Sequence, residues 1–508
     1  MLSKVLSYGV SGIQAYPVEI EVDINRGLPS VTIVGLPDSA VKESRERVKS
    51  AIKNSGFNYP DDRITISLAP ADTKKEGPAF DLAIALGILG ASGQLNQRNL
   101  LDYVFLGELS LEGALRSIKG GLPIGLAIAE DKIKSLVLPK DNGYEAALVR
   151  QVNIYPVNNL REVVNFLSEP QIISPLKINL EEIFKSLQNY ELDFQEVKGQ
   201  THVKRGLEVA VAGGHNVLLI GPPGSGKTML AKRIPTIMPE MSLEEALETT
   251  RIHSVIGLVK NGIIATRPFR SPHHTISDVA MVGGGSIPKP GEISLSHNGV
   301  LFLDELPEFH RDVLEVLRQP LEDGLITVSR AIKSLSFPSK FMLVAAMNPC
   351  PCGYYTDPRR QCRCTPTKIQ NYLSKISGPL LDRIDIHIEV PSLKYRELTD
   401  QAPAEPSSQI KKRINKARQI QKQRFSDKKI FSNAQMTHRE IKKFCTLNKE
   451  ASDLLKMAIN ELGFSARAYD KILKVSRTIA DLANSEEILV EHVSEAIQYR
   501  TLDRQLWG

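Results

Sequence analysis

The chain has 508 residues, of which 42% are hydrophobic and 24% charged, and its formal net charge is +6. This length predicts about three domains. The composition is that of a globular protein, and the mild positive charge permits nucleic-acid binding without requiring it. No apolar run is long enough to span a bilayer, and the N-terminus lacks the apolar core of a secretory signal, so we expect a cytoplasmic protein. Four of the five cysteines are clustered, which is not typical of a disulfide framework.

The chain divides into four regions, and the fold class predicted for the whole is α/β. Residues 1–167 alternate strand-like and helix-like segments and predict an α+β domain. The segment 168–195 contains two X-Pro pairs and is typical of a linker. Residues 196–392 again alternate strands and helices, and 393–508 are predicted to be helical. In the first region, the predicted strands are 18–24, 30–34 and 64–68, and the predicted helices are 39–55 and 80–89.

A glycine-rich sequence lies between a predicted strand, 216–220, and a predicted helix that begins at Met229. This order suits a phosphate-binding loop, because backbone N–H groups and the positive end of the helix attract phosphates. The residues predicted to bind ATP are Gly221, Pro222, Pro223, Gly224, Ser225, Gly226, Lys227 and Thr228. Lys227 offers a charge to the β- and γ-phosphates, and Thr228 offers a hydroxyl to Mg²⁺. The alternative is a simple turn before a helix.

Two acids and an amide follow later predicted strands. The strand 300–303 is followed by Asp304 and Glu305. We predict that Asp304 holds Mg²⁺ and that Glu305 polarises the attacking water. The strand 341–347 is followed by Asn348, which can orient that water beside the γ-phosphate. The alternative for Asn348 is a turn-forming role before Pro349.

Basic residues mark two segments between these motifs. Lys289 follows a run of glycines, and alternating apolar residues over 325–337 predict a β-hairpin with Arg330 and Lys333 at its tip. Basic loops suit a nucleic-acid backbone, although solvated turns are the alternative. For the adjacent pair His273 and His274 we favour a structural role over a metal site, because neighbouring residues on a strand point apart.

Four cysteines follow Asn348 in two C-x-C pairs: Cys350, Cys352, Cys362 and Cys364. Four thiols this close together can enclose a tetrahedral Zn²⁺ that clamps the loop, although the spacing is tighter than the usual C-x₂-C pair. The alternative is a set of reduced thiols in an exposed loop, where they would be prone to oxidation. We expect the solitary Cys445 to be buried.

These motifs, taken in order, resemble those of AAA+ ATPases, and more closely the magnesium-chelatase-like branch. The resemblance implies a central αβα sandwich, a helical lid and a ring, usually a hexamer. The sequence ending in Leu-Leu-Asp-Arg383 is similar to an arginine finger that reaches the ATP of a neighbouring subunit; the alternative is a surface Asp–Arg pair. The sequence Gly-Phe-Ser-Ala-Arg467 resembles the start of the sensor-2 helix, with Arg477 as the weaker candidate. The segments around Lys289 and Arg330 match inserts that project into the ring pore.

The N-terminal region resembles the Lon-protease proteolytic fold through 73–82 and 106–122. In that fold a serine and a lysine form the catalytic dyad. Here the matching positions hold Ala79 and Pro123, which can act neither as nucleophile nor as base. The resemblance therefore implies a Lon-like domain without proteolytic activity, used for assembly or for contact with DNA.

The combination of these three modules resembles the YifB/ComM family over essentially the whole chain. This resemblance implies a hexameric, ATP- and Mg²⁺-dependent DNA helicase that promotes branch migration on single-stranded or branched DNA. A magnesium-chelatase motor subunit is an alternative, opposed by the long N-terminal domain. A protein-remodelling ATPase is another, opposed by the lack of aromatic residues in the two proposed pore loops. A nucleotide-gated DNA scaffold without hydrolysis is disfavoured by the intact catalytic motifs.

Near the C-terminal end, the segment 407–424 carries seven basic residues, with Ile410, Ile414 and Ala417 at helical spacing. Such a basic amphipathic helix can contact DNA. We favour the alternative, in which the basic side chains form a solvent-exposed face of the lid.

Overall fold

The structure is a computed structural model that describes residues 1–260, 262–285, 288–329, 334–355, 357, 360–392, 404–428 and 430–502. The predicted hairpin tip with Arg330 and Lys333 lies outside the described residues, as does the start of the predicted lid at 393. Within the described part of the chain, no helix combines the length and the apolar character needed to cross a bilayer.

The N-terminal domain is built on a seven-stranded mixed sheet. Its strands are β1 (Leu2–Ser11), β2 (Gln14–Asn25), β3 (Ser30–Val34), β4 (Arg63–Ala69), β5 (Val104–Phe105), β8 (Ser135–Pro139) and β9 (Asn153–Val157), and β6 (Glu108–Leu109) and β7 (Leu115–Arg116) form a small separate hairpin. The spatial order is β3-β4-β2-β1-β5-β8-β9. Strand β2 is antiparallel to β1 and β4, and the other neighbouring strands are parallel.

Five helices accompany this sheet: α1 (Ser39–Asn54), α2 (Asp81–Ala91), α3 (Gly121–Glu130), α4 (Gly143–Ala146) and α5 (Leu160–Ser168). Helix α1 begins where Asp38 accepts a hydrogen bond from the N–H of Val41, at 2.8 Å. Helix α2 is buried along its whole length, as its almost unbroken apolar sequence requires. The predicted strands and helices of this region are confirmed as β2, β3, β4, α1 and α2, with ends that differ by a few residues.

The predicted linker, 168–195, contains ordered structure. It includes helix α6 (Leu180–Ser186). Leu180 is buried in the apolar cluster that also contains Leu122 and Ile124 of α3. The segment therefore packs along the N-terminal domain.

The central domain is built on five parallel strands: β10 (Val217–Ile220), β11 (Phe269–Arg270), β14 (Val300–Leu303), β17 (Met342–Met347) and β18 (Ile386–Glu389). Their spatial order is β11-β14-β17-β10-β18. All residues of β10, β14 and β17 are buried, as expected of strands covered by helices on both faces. The αβα architecture expected from the sequence is confirmed.

The described residues of this domain form nine helices: α7 (Thr201–Gly213), α8 (Lys227–Ile237), α9 (Leu243–Ser254), α10 (Asp278–Val282), α11 (Glu292–Leu295), α12 (Arg311–Glu315), α13 (Arg318–Asp323), α14 (Pro366–Leu373) and α15 (Gly378–Leu381). Two antiparallel hairpins complete it: β12 (Gly283–Gly284) with β13 (Lys289–Pro290), and β15 (Leu325–Ser329) with β16 (Ser334–Pro338). The second is the hairpin predicted from the alternating residues over 325–337.

The C-terminal region is helical: α16 (Ser407–Arg424), α17 (His438–Phe444), α18 (Lys449–Leu462), α19 (Ala466–Leu482) and α20 (Val490–Gln498). It shares one apolar core with the central sheet. Helix α16 buries Ile410, Ile414 and Ala417. Several of its basic residues form intramolecular ion pairs, including Lys411 with Glu240 at 3.1 Å. The inward face of the basic helix therefore serves packing.

The N-terminal domain contacts the central domain near the β15–β16 hairpin. Arg251 of α9 donates to the carbonyl of Ile13 in the β1–β2 turn, at 2.6 Å. A Cβ placed on Gly12 would lie 3.0 Å from a methyl carbon of Leu335 in β16. The turn of the first two strands thus packs against the hairpin.

Candidate nucleotide site

The phosphate loop connects strand β10 to helix α8. Gly226 caps the helix with φ of 90°, a left-handed conformation that favours glycine. The Nζ of Lys227 donates to the carbonyls of Gly221 at 2.7 Å and Pro222 at 3.0 Å. Burial lowers the pKa of Lys227, and the nearby Asp304 and Glu305 oppose that shift. The lysine therefore folds over its own loop.

The structure brings the strand-end acid and amide to this loop. The hydroxyl of Thr228 donates to Asp304 at 2.6 Å, and Lys227 donates to the side-chain oxygen of Asn348 at 3.2 Å. These contacts form because β10, β14 and β17 are adjacent parallel strands, whose carboxyl ends meet at one edge of the sheet. Four of the predicted site residues thus lie in direct contact.

An open cavity of about 430 Å³ lies over the loop. It is bordered by Pro223, Gly224, Ser225, Gly226, Lys227, Thr228, Met229, Asp304, Glu305, Met347 and Asn348. Its size is within the range of small-ligand sites. Met229 and Met347 are lining residues that the motif analysis did not identify.

Glu305 has a neighbour that the sequence analysis assigned to a structural role. The Nδ1 of His274 lies 3.5 Å from its carboxylate. The rings of His273 and His274 lie 4.1 Å apart, so the prediction that they point apart is wrong; both residues follow β11 in a loop and are not on a strand. Because Arg270 pairs with Leu301, His274 and Glu305 come the same four residues later at the same sheet edge.

A second residue missed by the sequence analysis is Gln200, at the start of α7. Its side-chain amide donates to the carbonyl of Ser225 in the phosphate loop at 2.8 Å. Gln200 therefore supports the loop from outside the cavity. A lone glutamine more than twenty residues before the motif carries no sequence signal for this contact.

Neither predicted arginine borders the cavity. Arg383 forms an ion pair with Glu322 and donates to the carbonyl of Pro379 at 2.6 Å. Arg467 is 68% exposed and pairs with Asp382 at 3.1 Å. The partner of Arg467, Asp382, is therefore the residue directly before Arg383 in the chain. Arg477, the weaker candidate, is buried and pairs with Asp481 inside the lid.

The four clustered cysteines lie together. Their sulfur atoms are all within 4.8 Å of one another, and three pairs are 3.3, 3.7 and 3.6 Å apart. Sulfurs bound to one tetrahedral Zn²⁺ at about 2.3 Å lie about 3.8 Å apart, so the geometry fits this ion. Hydrogen bonding from the backbone of Arg363 lowers the pKa of the Cys352 thiol to about 6, whereas burial and the neighbouring thiols raise the pKa values of Cys362 and Cys364. Cys445 is buried away from this cluster, as predicted.

Of the three predicted DNA-contacting residues, Lys289 lies in the described part of the chain. It is exposed in β13, where it pairs with Gly284. The other two, Arg330 and Lys333, belong to the hairpin tip outside the described residues.

Three family models match the chain in succession. One described as subunit ChlI of Mg-chelatase matches residues 20–142, one described as magnesium chelatase subunit ChlI matches 193–398, and one for the C-terminal part of that subunit matches 404–500. The second match contains the whole phosphate site. The site therefore belongs to a magnesium-chelatase-like AAA+ domain.

Full-length relatives identify the family more narrowly. The chain is 48% identical to competence protein ComM of Haemophilus influenzae over 514 residues, which cover 99% of this chain and 98% of that protein. The chain belongs to the ComM/YifB family. YifB of Escherichia coli K12 is 46% identical over 510 residues, with the same coverage. A shorter match, to Lon protease 2 of Bacillus subtilis, is 28% identical over 175 residues, 31% of each chain.

The residues of this ComM/YifB-family site fit the ATP and Mg²⁺ that an AAA+ domain implies. The hydroxyl of Ser225 is buried in the phosphate loop and has no hydrogen-bond partner among the described residues. Thr228 and Asp304 present adjacent oxygen atoms, the ligand type that Mg²⁺ takes. Lys227 and the α8 N-terminus supply the positive charge that a polyphosphate needs.

Proposed function

We propose that this protein is an ATP-hydrolysing ring motor that acts on DNA, as a ComM-like branch-migration helicase supporting recombination or natural transformation. The proposal rests on one observation above all. The hydrogen-bonded set of Lys227, Thr228, Asp304 and Asn348 occurs in a chain similar to a competence protein along its whole length.

The side chains divide the chemistry of hydrolysis among them. Lys227 binds the β- and γ-phosphates, and it exchanges its contacts with Gly221 and Pro222 for phosphate oxygens. Thr228 and Asp304 hold Mg²⁺, which when bound neutralises charge that develops on the phosphates. Glu305 accepts the proton of the attacking water, and Asn348 orients that water.

The active form is a homo-oligomer, which we propose is a hexamer. We propose that Arg383, which does not border the cavity of its own chain, completes the site of a neighbouring subunit, where a guanidinium stabilises the charge of phosphoryl transfer. Arg467 contacts the phosphates when the lid closes. Both arginines exchange their present carboxylate partners, Glu322 and Asp382, for phosphate.

DNA, single-stranded or branched, passes through the ring. We propose that its phosphates are bound by the exposed Lys289 of β13 and by Arg330 and Lys333, which the sequence places between β15 and β16. The N-terminal domain, with Ala79 and Pro123 at the positions of the Lon dyad, serves assembly or DNA contact and has no proteolytic activity.

The four cysteines hold a structural Zn²⁺. Closed thiolate sites with four ligands are typical of structural zinc. The sulfur separations of 3.3 to 3.7 Å support this assignment.

The test of the proposed function is the ATPase rate of the purified protein with no DNA, single-stranded DNA, duplex DNA or a four-way junction. We expect strong stimulation that is greatest with the junction, and none in Glu305→Gln, which should still bind ATP. Real basal turnover without a response to any DNA would contradict the DNA motor.

A second candidate is a magnesium-chelatase-type motor subunit, because the three matching family models carry the name of that subunit. The same assay distinguishes it when a porphyrin replaces DNA. Stimulation by the porphyrin and not by DNA would favour the chelatase function.

A further inference from the structure

The loop with the four cysteines packs directly on the phosphate loop. Gly353 lies between the second and third cysteines, with φ of 85°. A Cβ placed on it would lie 2.4 Å from the ring of Pro223, so backbone and ring are in close contact. Pro223 borders the phosphate cavity.

The same loop is joined to Asn348 at both of its ends. Cys350 is buried and follows Asn348 with one residue between. After Cys364 the chain enters α14, where Tyr372 lies near Asn348: burial raises the pKa of the Tyr372 hydroxyl, and the Asn348 backbone opposes that rise. The cysteine loop therefore begins and ends beside the amide that contacts Lys227.

Side-chain contacts take the place of regular secondary structure in the described part of this loop, among them the bond from Arg360 to the Tyr354 hydroxyl at 2.7 Å. The described residues of 349–364 form neither helix nor strand, and most of those after Cys350 are partly or fully exposed. A long loop without secondary structure has many accessible conformations, and a bound metal restricts them. We expect the loss of that restraint to loosen the contact of Gly353 with Pro223.

We propose that a Zn²⁺-bound cysteine loop is a positioning device for the ATP site. The metal fixes Gly353 against Pro223 and Asn348 beside Lys227, so that the phosphate loop is held ready for nucleotide. This inference rests on the zinc site and the nucleotide site proposed above. It predicts that ATP affinity depends on the metal, although no cysteine borders the cavity.

The test uses the full-length protein and two kinds of variant. The double variant Cys362→Ser/Cys364→Ser removes two metal ligands. Gly353→Ala keeps all four thiols but displaces the loop from Pro223. Gly77→Ala is the matched control, because Gly77 has the same φ of 85° and an added Cβ there would meet nothing within 4 Å.

Two quantities are measured for each protein: zinc per chain by elemental analysis, and affinity for a fluorescent, non-hydrolysable ATP analogue. We expect wild type and Gly77→Ala to hold one zinc and bind the analogue equally. Gly353→Ala should hold zinc yet bind the analogue about tenfold more weakly. The double variant should lose both, and restoring Zn²⁺ to chelator-treated wild type should restore affinity.

The outcomes separate the proposals. Zinc that binds at one per chain, together with unchanged affinity in Gly353→Ala and in the double variant, overturns the positioning role and leaves the zinc site standing. A wild type without zinc, and without a tetrahedral thiolate spectrum after Co²⁺ addition, overturns both. If Lys227→Ala binds the analogue as tightly as wild type, the nucleotide site itself is misassigned.

Discussion

Glu305 has a left-handed backbone conformation, with φ of 55°, and its carboxylate faces His274. A non-glycine residue in this region costs about 1 kcal/mol or more and persists where the surroundings require it. This backbone conformation places the Glu305 carboxylate among the residues that border the phosphate cavity. We infer that His274 orients Glu305 there through the 3.5 Å contact of its Nδ1.

Replacing His274 tests this positioning role. A polar contact to a carboxylate as exposed as this one contributes up to about 1 kcal/mol, so kcat of His274→Ala should fall by up to about fivefold. The affinity for ATP should not change, because His274 does not border the cavity. Steady-state ATPase kinetics with a separate binding titration measure the two effects.

The neighbouring His273 provides the control. It is exposed, and its Nδ1 contacts Thr275 at 2.9 Å. His273→Ala should therefore keep normal kcat, and His274→Asn should recover part of the lost rate by restoring a donor. A rise in kcat of His274→Ala would mean that the contact restrains Glu305 and does not orient it.

Between the elements, a buried polar group joins the lid to the central sheet. His215, two residues before the start of β10, faces Asp385 through Nδ1 at 3.3 Å and Thr478 of α19 through Nε2 at 2.9 Å. Asp385 also pairs with Lys471 of α19 at 3.4 Å. Burial alone would raise the pKa of Asp385, but Lys471 and His215 outweigh it and hold that pKa well below its usual range.

This junction predicts a loss of stability in mild acid. Burial lowers the pKa of His215 against the opposing effect of Asp385, while Lys474 and Arg418 add to the lowering. In the unfolded chain the imidazole takes up a proton near pH 6.5, and in the folded protein it does so only at lower pH. The free energy of unfolding should therefore fall below about pH 6.5, by at most about 1.4 kcal/mol per pH unit from this group.

Thermal unfolding between about pH 7.5 and pH 5 measures this effect. His215→Gln keeps a donor and an acceptor but does not titrate, so its unfolding temperature should fall less steeply than that of wild type. Burial also lowers the pKa values of His253 and His492. Both proteins contain these two histidines, so their contribution to the slope is the same in each. Equal slopes in the two proteins would contradict the assignment to His215.

The strands that the sequence predicted well are those in which every residue is apolar. Strands β10, β14 and β17 are continuous apolar runs, and their strand-end residues Asp304 and Asn348 follow directly. The contact between His274 and Glu305 was not predictable, because β11 has two residues and no periodicity reveals its pairing with β14. The packing of Gly353 on Pro223 likewise depends on the path of an irregular loop.

At the scale of the whole molecule, the central domain contacts both the N-terminal domain and the lid. The turn of β1 and β2 contacts both α9 and the hairpin strand β16. The junction of His215 and Asp385 ties the lid to the same sheet that carries the phosphate loop. The sheet that carries the phosphate loop is therefore in contact with the lid, and the hairpin of the same domain is in contact with the N-terminal sheet.

The proposed completion of the ATP site by Arg383 of a neighbouring subunit gives the prediction at this scale. Arg383→Ala should bind ATP normally and lose turnover by ~10³-fold, because an arginine finger acts on the transition state. Lys227→Ala should fail to bind ATP but keep an intact Arg383. An equimolar mixture of the two variants contains interfaces in which an intact ATP site faces an intact arginine.

Such a mixture should therefore hydrolyse ATP faster than either variant alone, as measured after the two are allowed to exchange subunits. Glu322→Gln is the control, since it removes the present partner of Arg383 and leaves the guanidinium available. That variant should keep most of its turnover. If Arg383 acted within its own chain, no mixture could recover activity, because every subunit would lack either the lysine or the arginine. A mixed rate equal to the mean of the two variants would therefore place Arg383 outside the intersubunit site.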